Sequence, residues 1–529
     1  MIMVRFTGFF LLLLFSARVH AQNASLSSGT LMDGEPNLAM NPANPKNLVV
    51  AWMNLGLSEG KIKITIKVRS SFDGGKTWGA AINMPHMATT YGSADPTMVF
   101  HRSGKLFLGY LDYRKSPDSG GLYVCNSMDG GKTFSTPLKA WDALEVSKRA
   151  IDRPWLAIDN SGTSTDGTLF VTTKPAPWIP APNRPYLKVS TDGAMSWGNW
   201  KYLDSTGFLV GNAIQAPMAA PNVTKSGLFV AAFPSYVVSQ NVYPRFILAT
   251  SRTAGAKLNY IPMQAANDAV SDTNLKLGYF LAADPNNTNR MALIRVAKSG
   301  SGDADIMVMR TNDEGETWTA QVRVNDDTLG NGKLQDMPWA CYGNNGTLAA
   351  VWRDRRNSPG TGFFNQATDC YCAFSKDNGA TWSKNIKIST QTAGYDAILT
   401  QNGNDFQGCT LHNDTLYSTW SDTRNGKLVV YFAITDLESG TTTIKTLFSN
   451  PTHMRLKIRN TSEWKQISWP QDCVASEFLI LDETGKQVFR KTVSDKPDSI
   501  SLPDDLLPKG NYFLVVKAIH GVITQKVFW

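Results

Sequence analysis

Ser71-Phe-Asp-Gly-Gly-Lys-Thr-Trp78 decides how the rest of the chain is read, because it returns at even spacing. The pattern stands again at Ser127-Met-Asp-Gly-Gly-Lys-Thr-Phe134, Ser190-Thr-Asp-Gly-Ala-Met-Ser-Trp197, Thr311-Asn-Asp-Glu-Gly-Glu-Thr-Trp318 and Ser375-Lys-Asp-Asn-Gly-Ala-Thr-Trp382. Its chemistry suits a tight hairpin. Asp73 can accept hydrogen bonds from its own loop, Gly75 can take positive φ, and Trp78 can pack beneath the turn. A decayed copy, Ser251-Arg-Thr-Ala-Gly255, carries Thr253 in the Asp position. With it, the starts at 71, 127, 190, 251, 311 and 375 are separated by 56, 63, 61, 60 and 64 residues. One more step reaches Thr435-Asp-Leu-Glu-Ser-Gly440, a frayed seventh. A fixed period of this length marks an array of structural units.

Within each period, short β-branched and aromatic runs alternate with Gly, Asn, Asp and Pro turns, and no long stretch keeps a helical period. The sixth unit predicts strands at Met337–Tyr342, Thr347–Trp352, Asp369–Phe374 and Ser383–Ser389. Four antiparallel strands per unit make a propeller blade. Seven units fit between about residues 30 and 450. The expectation is all-β: a seven-bladed propeller, or a six-bladed one if the end repeats merge.

The ends read differently. Residues 1–21 carry Arg5, the apolar run Phe9–Phe15 and a small-residue end at Ala21, the pattern of a secretory signal peptide too short to span a membrane. Nothing else in the sequence approaches transmembrane length. The formal charge of +8 suits an anionic glycan and suits solubility equally. No basic run interleaves with aromatics, which argues against nucleic acid. Six cysteines are too few for a disulfide framework in 529 residues. Cys341 and Cys409 fall at matching places in neighbouring first strands and read as buried thiols, and Cys370-x-Cys372 lacks zinc-site company. After about Asn450 the repeat stops. Phe478–Leu481, the turn Asp482–Gly485, Gln487–Phe489, Asn511–Val516 and Val522–Phe528 predict a small β-sandwich over 451–529.

The repeat hairpins hold the loudest signal, and turn chemistry accounts for them without catalysis. Propeller loops alternate between two faces, so candidate chemistry sits opposite. There, second strands end in Tyr110-Leu-Asp112-Tyr113-Arg114, Trp352-Arg-Asp354-Arg-Arg356 and Trp420-Ser-Asp422-Thr-Arg424, in register with Trp52-Met-Asn54. First strands are entered through Glu35-Pro36, Asp95-Pro96, Asp152-Arg153-Pro-Trp155, Gln215-Ala-Pro217, Asp336-Met-Pro-Trp339 and Asn404-Asp405. Both sets should converge on the rim of the central channel. Paired carboxylates supply acid and base, and arginine forks grip a carboxylate. The expected catalytic set is Asp112, Asp152, Asp354, Asp422 and Tyr113. The expected substrate-binding set is Arg114, Arg153, Arg356, Arg424, Trp352 and Trp420. Because the aromatic-x-Asp-x-Arg motif repeats, ion pairs tying blades together remain the competing explanation.

The eight-residue hairpins are Asp-boxes, and with the blade pattern over about residues 30–450 the chain resembles the sialidase superfamily of Asp-box (BNR-repeat) propellers. That resemblance implies an exo-acting glycosidase with an arginine triad, a tyrosine nucleophile and an aspartate acid/base. The chain departs from it where sialidases carry a Phe/Tyr-Arg-Ile-Pro motif, since Leu31 to Met53 contain no arginine. Asp482-Glu-Thr-Gly-Lys486 and Leu507-Pro-Lys-Gly-Asn-Tyr-Phe513 resemble the C-terminal sorting domain of type IX secretion cargo in Bacteroidetes. This implies export across an outer membrane, with surface attachment or release. Three functions stay open: a secreted glycoside hydrolase acting on acidic or decorated glycans, a non-catalytic glycan- or protein-binding propeller, and a polysaccharide lyase. A lyase wants a His or Tyr base, for which Tyr113 and Tyr236 are available and histidines are scarce. No cofactor or metal is expected, and the chain is read as a monomer whose partners are a glycan and the export machinery.

Overall fold

The computed structural model describes residues 23–27, 31–58, 60–115, 118–145, 150–179, 184–211, 218–235, 237, 245–263, 278–298, 303–395, 404, 406–442, 456–460, 464–469, 475–482, 486–493, 499–518 and 521–529. The segment 1–21 lies outside them. Seven antiparallel sheets follow one another along the chain. Blade 1 holds Met32–Met40, Leu48–Ser58, Lys61–Ser71 and Ile82–Asn83. Blade 2 holds Gly92–Phe100, Leu106–Lys115, Asp118–Ser127 and Leu138–Asp142, and blade 3 Ile151–Ile158, Leu169–Pro175, Tyr186–Ser190 and Lys201–Tyr202. Blade 4 holds Ala220–Val223, Phe229–Ser235, Arg245–Ser251 and Asn259–Pro262, and blade 5 Tyr279–Ala283, Met291–Lys298, Ala304–Thr311 and Val322–Arg323. Blade 6 holds Gln335–Tyr342, Leu348–Asp354, Asp369–Ser375 and Ile386–Lys387. No helix occurs among the described residues, and so none is long and apolar enough to cross a membrane.

The first strand of each blade packs beside the next, and the seventh returns to the first. Blade 7 is built from both ends of the ring. Gly408–His412, Thr415–Asp422 and Val429–Asp436 come from one end, and Ala24–Ser25 adds to the outer edge, pairing Ala24 with Phe432 and Ser25 with Tyr431. Closure in this way removes the open edges that a curled sheet would leave. The seven-bladed expectation therefore holds and the six-bladed one does not. Fourth strands are shorter than expected: blade 6 keeps only Ile386–Lys387 of the Ser383–Ser389 stretch.

The Asp-box hairpins join third to fourth strands on one face. Asp73 Oδ1 accepts the Ser71 hydroxyl at 2.8 Å and the Thr77 N–H at 2.9 Å, while Oδ2 accepts the Thr77 hydroxyl at 2.6 Å. The same bonds recur at Asp129, Asp192, Asp313 and Asp377. Thr253 keeps two of them, bonding to the Ser251 hydroxyl at 3.3 Å and accepting the Lys257 N–H at 2.9 Å. Gly75 has φ 81°, and a methyl there would lie 2.6 Å from Phe432 of blade 7, against whose ring Trp78 packs edge-on at 5.0 Å. Each such hairpin thus caps its own sheet and, in blade 1, reaches onto the neighbouring blade.

Beyond the ring, two further sheets pack face to face. One orders Lys457–Asn460, Trp464–Ser468 and Ser499–Pro503; the other orders Gln487–Thr492, Ala475–Asp482, Asn511–Ala518 and Gly521–Phe528. Ile467, Phe478, Ile480, Leu514 and Val516 fill the space between them. The predicted hairpin is present, with Ile480 opposite Phe489.

Hydrogen bonds from Thr381 and Ser375 outweigh burial and hold the Asp377 carboxyl down at about 2. A depressed carboxylate stabilises the fold above its ordinary range and loses that contribution as pH falls toward 2. Asp377→Ala should lower stability by about 1–3 kcal/mol at neutral pH through its lost loop bonds. Denaturant melts across pH should show the gap between variant and parent narrowing in acid.

Candidate active site at the channel mouth

Four first strands begin with the same irregularity on the face opposite the Asp-boxes. Glu35 (φ 51°), Asp95 (φ 51°), Arg153 (φ 49°) and Met337 (φ 52°) take left-handed backbone, each immediately before a proline, and the strand register breaks at each. Proline explains the break: it has no N–H for the ladder, so it sits in the unpaired position of a bulge. It also pushes the preceding residue out of the right-handed helical region. Left-handed backbone at a residue with a side chain costs on the order of 1–3 kcal/mol, and such strain gathers at functional sites. Here it is met four times, and three of the side chains are charged.

Those three side chains and two neighbours form one cluster. The Glu35 and Asp95 carboxyls hydrogen-bond to each other, and Asp95 also reaches Asp152. Asp95 Oδ2 accepts the Arg153 N–H at 3.0 Å. Lys174 Nζ sits 2.6 Å from Asp152 Oδ2, and Arg153 Nε 4.0 Å from it. Lys174 lies directly across the strand pair from Asp152, so the ladder itself sets this ion pair. Glu35 and Asp95 are deep, 1% and 6% exposed. The Asp152 and Arg153 side chains are 15% and 26% exposed, so the cluster opens at its blade 3 side.

The environments push these carboxyls apart. Burial, with the Glu35 and Asp152 charges added, raises Asp95 well above the carboxylate range. Burial also acts to raise Asp152, but Lys174 and Arg153 outweigh it and hold that carboxyl below its ordinary value. The two neighbouring carboxyls are thus shifted in opposite directions, Asp95 up and Asp152 down, the pattern that separates acid from base. Aromatic rings back the cluster. The Arg153 guanidinium lies 5.9 Å from the Phe406 ring, and Trp155 packs against Phe280, Trp339 and Phe406.

Of the expected catalytic and substrate-binding sets, only Asp152 and Arg153 join this cluster, beside the strand-entrance residues Glu35 and Asp95. Asp354 accepts the Trp352 indole N–H at 2.8 Å and Arg356 at 2.9 Å, and the Arg356 guanidinium stacks 4.2 Å over Tyr371. Asp422 repeats this with Trp420 at 2.9 Å and Arg424 Nε at 2.9 Å, with Arg424 stacked 4.0 Å over Tyr431. In these two blades the motif staples its own sheet with its carboxylates fully engaged, and in blade 6 it also ties neighbouring blades, since Arg356 pairs at 2.7 Å with Asp326 in the loop leaving blade 5. Asp112 is buried and accepts from His86 Nδ1 at 2.8 Å, Ser93 at 2.9 Å and the Met87 N–H at 2.6 Å. Tyr113 stacks on Trp178 at 5.9 Å, and Arg114 lies half-buried one residue further along. Tyr236 lies outside the described residues. In blade 6, the place that Asp152 and Lys174 hold in blade 3 is taken by Asp336 and Arg353, and Arg355 adds a second guanidinium at 3.0 Å from Asp336.

Glu35 and Asp95 were visible in the sequence only as charged residue–proline dipeptides, which share their position with Arg153-Pro154. Lys174 carried no signal until the strand register was known. Among the described residues no group of three or more His, Cys, Asp or Glu is arranged to hold a metal ion.

No protein-family model and no curated protein matches the chain. Among solved structures it is similar to the Hadza microbial sialidase Hz136, at 14% identity and TM-score 0.41 over 72% of this chain and 74% of that one. It is similar to Penicillium chrysogenum α-L-arabinanase complexed with arabinobiose, at 13% identity and TM-score 0.44 over 79% and 98%. Phage phi92 endosialidase aligns at 10% identity and TM-score 0.43 over 96% and 87%.

The staple geometry yields a clear expectation for Arg424, whose Nη1 also donates to Asn23 at 2.8 Å and so ties the N-terminal segment into blade 7. Arg424→Ala leaves Asp422 buried without its cation and should lower stability by about 3 kcal/mol. Ligand binding by the fraction still folded should not change. Calorimetry beside binding measurements checks both halves.

Proposed function

We propose that this protein is a glycoside hydrolase whose acid–base chemistry resides in the bulge cluster at the channel mouth. The observation that carries it is the buried carboxyl of Asp95, set on left-handed backbone and raised by burial beside an Asp152 that is held low by Lys174. In this scheme Asp95 is the general acid and Asp152 the base or nucleophile. Lys174 keeps Asp152 charged, and Glu35 keeps Asp95 protonated. Arg153, fixed by its bulge, offers a fork to an acidic group on the sugar. A glycosidic oxygen entering the cluster replaces Asp152 as acceptor of the Asp95 proton. That separates the two carboxyls toward the about 5 Å or more that glycosidases use.

Binding without cleavage is the alternative. Its support is the depth of Glu35 and Asp95, which suits a rigid floor under a glycan held by Arg153 at the rim. We extend the proposal to export: the signal-like residues 1–21 and the C-terminal sandwich, with its own apolar core, suit a secreted chain delivered through a sorting module spanning 451–529.

Asp95→Asn and Asp152→Asn each preserve shape while removing a proton donor or a charge. Against a panel of sialosides, uronate-containing oligosaccharides and arabinosides, each should cut kcat at least 100-fold; the melting temperature should stay nearly unchanged in Asp95→Asn and fall in Asp152→Asn, which leaves the buried Lys174 without its carboxylate. A chain stopped near Asn450 should keep the parent's turnover. Binding with no turnover by the parent on any panel member would favour the binding propeller, and full activity in both variants would place the chemistry elsewhere.

A further inference from the structure

The seam between blades 6 and 7 holds a pair of thiols that the acid–base cluster does not use. Cys341 lies in Gln335–Tyr342 and Cys409 in Gly408–His412, the neighbouring first strands of the two blades. Both are free thiols in this structure and meet in one apolar wall of Ala349, Val351, Leu411, Leu416 and Ala433, with Cys409 buried in it and Cys341 packed against it. We propose that Cys341 and Cys409 are the site of an inter-blade disulfide, formed while the chain folds in an oxidising environment.

Geometry selects this pair over its neighbours. Cys372 also approaches Cys341, but it belongs to the third strand of the same sheet, two strands away. Strands two apart are separated by about 9.5 Å, beyond the roughly 7 Å that a disulfide allows between Cα atoms. The Cys370 thiol donates to Gln407 Oε1 at 3.7 Å, and the Cys125 thiol to Leu108 O at 3.7 Å in blade 2. Cys473 lies outside the described residues.

Timing follows from burial, which raises the Cys409 thiol far above its ordinary value and so suppresses the reactive thiolate in the folded ring. The bond therefore forms before the seam closes. One thiolate attacks the disulfide of an oxidant of the dithiol-oxidoreductase or glutathione class, releasing the first thiol of the oxidant. The second cysteine then displaces the other. Two protein thiols become one disulfide, and the oxidant takes up two electrons and two protons. The link would fasten blade 7, the blade on which ring closure depends, to blade 6 across a 68-residue separation in sequence.

The test is refolding of the full chain in a mixture of oxidised and reduced glutathione, then alkylation without reduction and peptide mapping. A cross-linked peptide joining Cys341 to Cys409 is expected, together with a melting temperature several degrees above that of the same protein in reductant. In Cys341→Ser and Cys409→Ala the cross-link and the redox-dependent shift should both vanish. Mapping of the parent decides the matter even where a variant fails to fold. Free alkylated thiols at both positions, or a bridge from either one to Cys370 or Cys372, would overturn the proposal.

Discussion

A proline cannot donate to the strand beside it, and that single missing bond positions the candidate site. In blades 1, 2, 3 and 6 it breaks the ladder at the start of the first strand, and the residue before it in each bulge takes left-handed backbone. Without the bulge, alternation along the strand would decide where those side chains point. With it, Glu35, Asp95 and Arg153 are gathered from three separate blades to one place. The closed seven-bladed ring makes this possible, since it fixes neighbouring first strands side by side and holds them against the strain.

The two ends of each blade do different work. At the Asp-box end each box aspartate accepts from its own loop, and hydroxyls and glycines complete the turn, while Glu314 of the blade 5 box reaches across to Thr224 and Arg252 of blade 4. At the other end charge is concentrated and partners come from different blades. Blade 6 satisfies Asp336 with two guanidiniums. Blades 1 to 3 gather three carboxyls against Arg153 and Lys174. In that second arrangement burial and the neighbouring carboxyls raise Asp95 well above its ordinary value. A structural staple such as Asp422–Arg424 has no such surplus of carboxyls.

Much of the fold could be read from the sequence, because each eight-residue box encodes its turn locally and the spacing counts the blades. Even Thr253 could be aligned by spacing alone. The site was less readable for reasons of range. The aromatic-x-Asp-x-Arg motif is prominent, but in blades 6 and 7 it is spent on indole, guanidinium and, at Arg356, blade-to-blade contacts that no sequence pattern separates from a binding rim. Glu35 and Asp95, 60 positions apart in the chain, meet only when blades 1 and 2 pack side by side. Lys174 is identified by cross-strand register, and register follows from a bulge that one proline creates. Asp152 and Arg153 were found because they share a strand entrance with that proline.

The account stands on a proton held by Asp95. Burial and two neighbouring carboxyls raise it, so its contribution to stability is full below the ordinary carboxylate range and is lost as pH rises through the raised value. Infrared difference spectroscopy between the protein and its Asp95→Asn variant at neutral pH reads this group directly. The prediction is a protonated carboxyl C=O band that is missing in the variant and that converts to a carboxylate stretch only at pH well above the usual range. A carboxylate signature for Asp95 already present at neutral pH, with no carbonyl band to lose, would contradict it.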